Sequence, residues 1–404
     1  MGKILKNYAS MIVLLSGVAL GGVCGIFWKD AALALQPIGD IFLNLLFVLV
    51  VPMVFFSVTT AFCRMHSGGG IGRTLARTLG SFVLIWLASG IIACIFGILA
   101  GPLGSSPSTA DFPSLSAPES NDAANVLVGA LSVGDFPQLF SKFNLLPLIL
   151  FSAILGAGVS AAGEKGAAFA EFLASGSEVT VKAMGVLMKA GPVGLGCYFA
   201  GTIARMGGEI LHSYLRVFVV YCCCAAFFFF VVNPLLVLSR RGRTGVRAFW
   251  KSIIPPSVTA LASSSSSAAM PQNIEAARRM GISESVAESV VPLSTNLLKP
   301  GSVMLDCFKV MFLLLLGGSG IASPASALMC IGVAVLAAVV SGAVANGGVS
   351  GELLICSILG VDPALVGIIM IIGTICDIPA TVVNSSSTVV AAALSETSDY
   401  GNTA

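Results

Sequence analysis

From Val217 to Leu238 the chain carries no charged side chain, and stretches of this kind recur along its length. Such a run limits the fold more than any short motif does. Lipid offers the backbone no water, so every N–H and C=O must be bonded internally, which leaves α-helices or a closed β-barrel. A helix crossing a hydrocarbon core of ~30 Å needs about 20 mostly apolar residues, whereas a barrel strand needs about 10 and alternates polar with apolar. The run is long and does not alternate, which selects helices. Composition agrees: of 404 residues 56% are hydrophobic and 10% charged, where a soluble domain is roughly a quarter charged. So little charge cannot clothe a water-facing surface of this size. The expected class is an all-α integral membrane protein.

Ordinary spans are expected over 8–28, 38–62, 74–101, 144–162, 179–204 and 213–238. Arg64, Arg73 and Arg77 follow the second of these, and Arg240, Arg241, Arg243, Arg247 and Lys251 follow the last. The polar loop 104–144 carries Asp111, Glu119, Asp122 and Asp135 against Lys142. Basic loops stay cytoplasmic, so the two basic clusters are expected inside and the 104–144 loop outside. Lys3 and Lys6 place the N-terminus inside, and both termini are expected to be cytoplasmic, in a cell (inner or plasma) membrane. The apolar stretch from Tyr8 has the length of a span rather than of a signal core, so it is read as a retained first helix. No basic stripe suits nucleic acid. Most of the 11 cysteines, Cys222, Cys223 and Cys224 among them, lie in apolar runs without paired or CxxC spacing. They read as small hydrophobes, with neither a metal nor a cofactor expected.

Beyond Lys251 the pattern changes. Two moderately apolar arms, 252–262 and 270–280, flank five serines, Ser263 to Ser267. Each arm makes roughly 16 Å of helix, too short to cross, so together they read as a hairpin that enters the membrane and returns. A second pair, 326–340 and 352–359, flanks a Gly-rich tip containing Gly342, Gly347, Gly348 and Gly351. One span separates the hairpins, so they are expected to enter from opposite faces. Paired interrupted segments in two corresponding halves are the best sequence pointer to a transporter site.

Polar residues stand inside the last apolar runs. Asp377, Thr381 and Asn384 are spaced by four and three, which puts them on one helix face. A carboxylate at bilayer depth is normally functional and suits a cationic group: a substrate ammonium, a metal ion or a proton. The bland alternative is a structural pair with Lys299, Lys309 being the likelier partner of Asp306. Lys299-Pro300-Gly301-Ser302 interrupts the run from Val286 to Leu316, where Pro and Gly break the helix and free carbonyls.

Several pieces together resemble the dicarboxylate/amino acid:cation symporter family, the glutamate-transporter fold, over nearly the whole chain. They are Ser263 to Pro271, Met280-Gly281-Ile282-Ser283 with Pro292-Leu293, Val51-Pro52-Met53-Val54-Phe55-Phe56-Ser57, Ala190-Gly191-Pro192-Val193-Gly194, and Asp377 with Asn384. The resemblance implies eight transmembrane helices plus two opposed re-entrant helical hairpins, a homotrimer and an elevator-like movement. It divides the chain into the first six spans, 1–251, and a core, 252–396, made of hairpin 252–280, broken helix 285–320, hairpin 326–360 and last helix 364–394. It places Ser265 and Ser266 where the first tip meets a substrate carboxylate. It also places Ser302 on a threonine of the broken span, Asp377 on the aspartate that holds an α-ammonium, and Thr381 and Asn384 on further ligands. Gly347 and Gly351 fall in the second tip, the gate.

The departures point elsewhere. The family's Asn-Met-Asp-Gly-Thr reads Leu298-Lys299-Pro300-Gly301-Ser302, an aspartate four residues after Asn384 is Thr388, and Ile85-Trp86 replace small hydroxyls. Hard cations need several oxygen ligands, so the usual sodium sites look dismantled, leaving a proton or the tethered Lys299 ammonium as the coupling charge. The arginine of acidic-substrate relatives is Ala380. The expected function is therefore symport of a small neutral amino acid. Acidic amino acids or dicarboxylates held by Lys299, and a channel or sensor derived from the fold, are the alternatives. An enzyme is not expected: Gly348-Val349-Ser350-Gly351 resembles an intramembrane protease motif, but His66 and His212 lie far upstream near span ends and offer no adjacent base.

Overall fold

The computed structural model describes residues 2–65, 72–101, 132–141, 144–206, 209–316, 321, 323–343, 348–361 and 365–396. Every regular element among them is a helix. Most of the 104–144 loop and Gly347 lie outside the described residues. The described residues contain six helical runs long and apolar enough to cross a membrane: Lys29–Thr60, Ala76–Ala100, Gly163–Arg205, His212–Ser263, Pro324–Gly342 and Val366–Ser395.

The helices are α1 Gly2–Phe27, α2 Lys29–Met65, α3 Gly72–Ala100, α4 Leu145–Ala161, α5 Ala167–Leu187 and α6 Gly191–Met206. A 3-10 turn, Met188–Ala190, joins α5 to α6, so the span expected over 179–204 is the second half of a longer run. Glu178 and Lys182 masked its first half. Helix α7, Glu209–Phe227, passes through a π turn, Phe228–Val232, into α8, Asn233–Ser263. Within α8, Gly242 sits at φ 63, a left-handed geometry that glycine adopts without a Cβ clash. There one span ends and the first hairpin arm begins.

That arm is longer than the 11 residues expected, because the chain from Gly242 to Ser263 is one helix. Ser264, at φ 48, and the extended Ser265 make the turn, and Ser266 opens α9, Ser266–Arg279. The second arm thus starts four residues earlier than the pattern implied. Helix α10, Glu284–Leu297, and α11, Pro300–Leu316, flank a break at Leu298 and Lys299. Proline is expected at such a helix start, where its missing N–H costs nothing. The second hairpin is α12, Pro324–Ala343, and α13, Gly348–Leu359, and the chain closes on α14, Val366–Ser395.

Packing divides the chain differently from the linear boundary at residue 251. Helices α1, α2, α4, α5 and α6 pack together, while α3 leaves its neighbours in sequence and packs on α11, α12 and α14. Close approach explains the first group. A β-carbon built on Gly21 of α1 would lie 2.1 Å from the Gly196 carbonyl oxygen of α6, and one on Gly17 2.2 Å from that of Pro192. Gly17, Gly21 and Gly25 recur every four residues, the small-residue stripe that lets membrane helices touch backbone to backbone. Outward, Leu20, Val48, Leu99 and Ile154 are exposed, an apolar surface that water would not tolerate over this extent.

Candidate functional site

Helices α9 and α11 pack along α14 and meet it through specific polar contacts. The Asn273 amide of α9 donates to Ser385 Oγ at 2.9 Å, and farther on the Ser283 N–H donates to Glu396 at 2.7 Å. Helices α9 and α14 therefore run parallel. Ser266 lies about two turns before Asn273 on α9, and Asp377 about two turns before Ser385 on α14. Helix α11 runs the other way. Its first residues meet Asn384, and Lys309, two turns on, meets Gly373.

The contact at Asn384 is specific. Its Oδ1 accepts from the Gly301 N–H at 2.8 Å and the Ser302 N–H at 3.3 Å, and its Nδ2 donates to Ser302 Oγ at 3.1 Å. Free N–H groups at a helix start need such acceptors. Asn384 is thus a cap reached across from another helix. The Tyr221 hydroxyl of α7 fixes the other side of the break, donating to the Gly301 carbonyl at 2.9 Å. Gly301 is required here, since a β-carbon would lie 2.3 Å from the Ala380 carbonyl oxygen.

Of the expected ligand face, Asp377 is exposed, while Thr381 and Asn384 are buried. Ala380 is buried as well; its backbone lies under Gly301 rather than lining the opening. Ser302 is half-buried with its Oγ taken by Asn384, and Ser266 is buried. Ser265 caps α9, accepting from the Ala268 N–H at 3.3 Å. Gly351 lies in the first turn of α13, where a β-carbon would meet Ser341 Oγ, near the end of α12, at 2.2 Å. Gly342, near the end of the first arm, faces the break: a β-carbon there would lie 2.4 Å from the Asn296 carbonyl oxygen and 3.1 Å from Lys299 Cγ. Lys299 runs along this backbone, half-buried. It forms no ion pair with any described carboxylate, although it lies within electrostatic reach of Asp377. The expected structural pair is therefore not closed.

A second charged cluster lies farther along α11. Lys309 Nζ donates to Asp306 at 3.0 Å, as expected, and to Glu352 of α13 at 2.9 Å. Glu352 was not anticipated. Its signal was present, since it is the one charged residue between Pro324 and Leu359, and ionisable residues at that depth are seldom idle. Arg241 likewise is not a surface member of its basic cluster. It is buried and donates to the Met280 and Gly281 carbonyls at 2.9 and 3.1 Å, closing the end of α9. Three cysteines from three helices, Cys94, Cys307 and Cys330, bring their sulfurs within 4.8 Å of one another, a grouping that linear spacing could not reveal.

Where the sodium ligands were judged lost, Thr388 donates to its own helix at Ser385 O, 2.8 Å away, and Ile85 is fully buried. Two helix starts, α9 and α11, a broken span carrying a lysine and a pair of hairpins around one polar helix define a solute-carrier architecture. The chain belongs to the sodium:dicarboxylate symporter family, whose model matches residues 11–398. It is similar to the C4-dicarboxylate transport protein of Azorhizobium caulinodans, 26% identical over 304 residues, covering 71% of this chain and 66% of the relative. The C4-dicarboxylate transport protein of Bacillus subtilis is 23% identical over 296 residues, covering 72% and 69%. The C4-dicarboxylate transport protein 2 of Pseudomonas paraeruginosa is 25% identical over 304 residues, covering 70% and 66%. The match thus spans about two thirds of the length of these relatives.

Proposed function

We propose that this chain is a secondary symporter carrying a small dicarboxylate, of the four-carbon kind its relatives are named for, across the inner membrane together with cations. The observation that carries the reading is Lys299: an ammonium at the break, free of any ion pair among the described residues. It stands at the start of α11. Helix starts attract anions through their dipole; at α11 the N–H groups are taken by Asn384, so Lys299 is the donor there, and Ser265 caps a second helix start at α9. One substrate carboxylate goes to Lys299 and α11, the other to the first hairpin tip. This reading abandons the inference from Ala380, because position 380 lies under Gly301.

Charge explains the need for cations. Two substrate carboxylates and Asp377 carry three negative charges, against Lys299 and two helix starts of about half a positive charge each, and uncompensated negative charge in low dielectric is costly. Co-transported sodium or protons would supply the deficit. The hairpins are read as re-entrant, and the group α3 with α7–α14 as the body that moves past α1, α2 and α4–α6 in a homotrimer. The exposed Asp377 favours a second reading, a neutral amino acid whose ammonium it would hold and whose single carboxylate would take Lys299. That complex is balanced without a co-ion. Equilibrium competition between succinate, aspartate and serine on the purified protein, with and without sodium, separates the two. Succinate binding that strengthens with sodium or acid supports the first, and serine binding indifferent to both supports the second.

A further inference from the structure

The cluster of Asp306, Lys309 and Glu352 joins the second hairpin to the broken helix, with all three residues buried. Two carboxylates face one ammonium, so the fully ionised cluster carries a net negative charge where no water reaches it. One atom localises the excess. Glu352 Oε2 is buried and has no hydrogen-bond partner, while Glu352 Oε1 takes the lysine. On the α14 side the cluster meets bare backbone: a β-carbon on Gly373 would lie 2.6 Å from Glu352 Oε1 and 3.3 Å from Lys309 Nζ. Among the described residues none donates to Glu352 Oε2.

The surrounding charges do not correct the balance. Asp306 and Lys309 of α11 are the charged groups that act on Glu352. Asp377 and Cys376 of α14 also interact with Lys309, and both add acidity rather than positive charge. Cys356 lies one turn farther along α13, and α12 brings Cys330 to Cys307 of α11. Helices α4 and α12, which also pack on α13, contain no charged residue, and the charged residues of α2 lie elsewhere along it.

We propose that the cluster is a proton-binding site, with the proton carried on Glu352 Oε2 and linked to closure of the second hairpin. With the proton on, the cluster is neutral: one ammonium, one carboxylate, one carboxylic acid. When α13 swings away from α11, Glu352 leaves Lys309, meets water and releases the proton; closure takes it up again. Acid therefore favours the closed hairpin, and rising pH opens it. The site rests on the symporter reading only for its meaning as a coupling proton; occupancy by a proton is a property of the folded chain.

The test is made on the purified full chain. Infrared difference spectroscopy between H₂O and D₂O reads the carbonyl stretch of a neutral carboxylic acid, and hydrogen exchange of α12 and α13, corrected for intrinsic rates, reads hairpin opening against pH. The wild type is expected to show a neutral acid near pH 7, and exchange in the hairpin that rises with pH. Glu352→Gln mimics the protonated acid, so it should fold, lose that band and give exchange independent of pH. Absence of a neutral-acid band, a band that survives Glu352→Gln, or an unchanged pH response in that variant would overturn the proposal. None of these readouts uses substrate, so failure of the dicarboxylate reading leaves their outcome intact.

Discussion

Asn384 shows how one side chain can be legible in type and illegible in role. Its spacing from Asp377 placed it rightly on the polar face of the last helix, but its amide is occupied in capping α11. Asn384→Ala should strand two N–H groups and lower stability by about 1 kcal/mol, in the range of lost helix caps, readable as a fall in thermal midpoint. Asn384→Asp keeps the acceptor and should recover most of it. Asp377 is different, being exposed. Under the dicarboxylate reading, Asp377→Asn removes a like charge, so succinate binding should hold or tighten and need less cation. Serine binding that falls by roughly a hundredfold in that variant, the scale of about 3 kcal/mol or more for an ammonium left without its partner, would mark the amino acid reading instead. Nothing in the sequence could choose, because Ala380 was read as a lining residue and its burial under Gly301 is a tertiary fact.

At the scale of elements the paired helices α8 with α9 and α12 with α13 were readable as two arms around a small polar tip, but not as re-entrant, since Pro324–Gly342 is long and apolar enough to cross. Their lengths were not readable, since Arg243, Arg247 and Lys251 in the first arm looked like a loop and yet lie within one helix with Ser263. The packing of α1 on α6 was legible in principle from glycines every four residues, a pattern easily lost among 45 glycines. Gly21→Leu should force these helices apart, because even a β-carbon there falls within 2.1 Å of backbone. A shift from a monodisperse to an aggregated elution profile would register it. Gly80→Ala in α3 is the control. Nothing lies within 4 Å of a β-carbon at that position, so it should be tolerated, with a gain of ~0.5–1 kcal/mol from helix propensity. Equal behaviour of the two variants would argue against the close approach.

For the whole molecule, the class followed from charge content alone, since so few charged residues exclude a water-facing surface. The grouping of α3 with α11, α12 and α14 did not follow, because sequence order says nothing about which distant apolar helices meet. The topology expected from the basic clusters predicts that an impermeant thiol reagent in intact cells labels a cysteine placed at Ser116 and spares one at Arg243. The reverse pattern would invert the molecule. The central claim is that a substrate carboxylate binds at the break, on Lys299. Isothermal titration of succinate into purified wild type and Lys299→Met tests it most directly. A charge-assisted hydrogen bond contributes about 1.5–3 kcal/mol, so affinity should fall roughly 10- to 100-fold while the thermal midpoint without ligand stays put. Equal affinity in the two proteins would contradict the account.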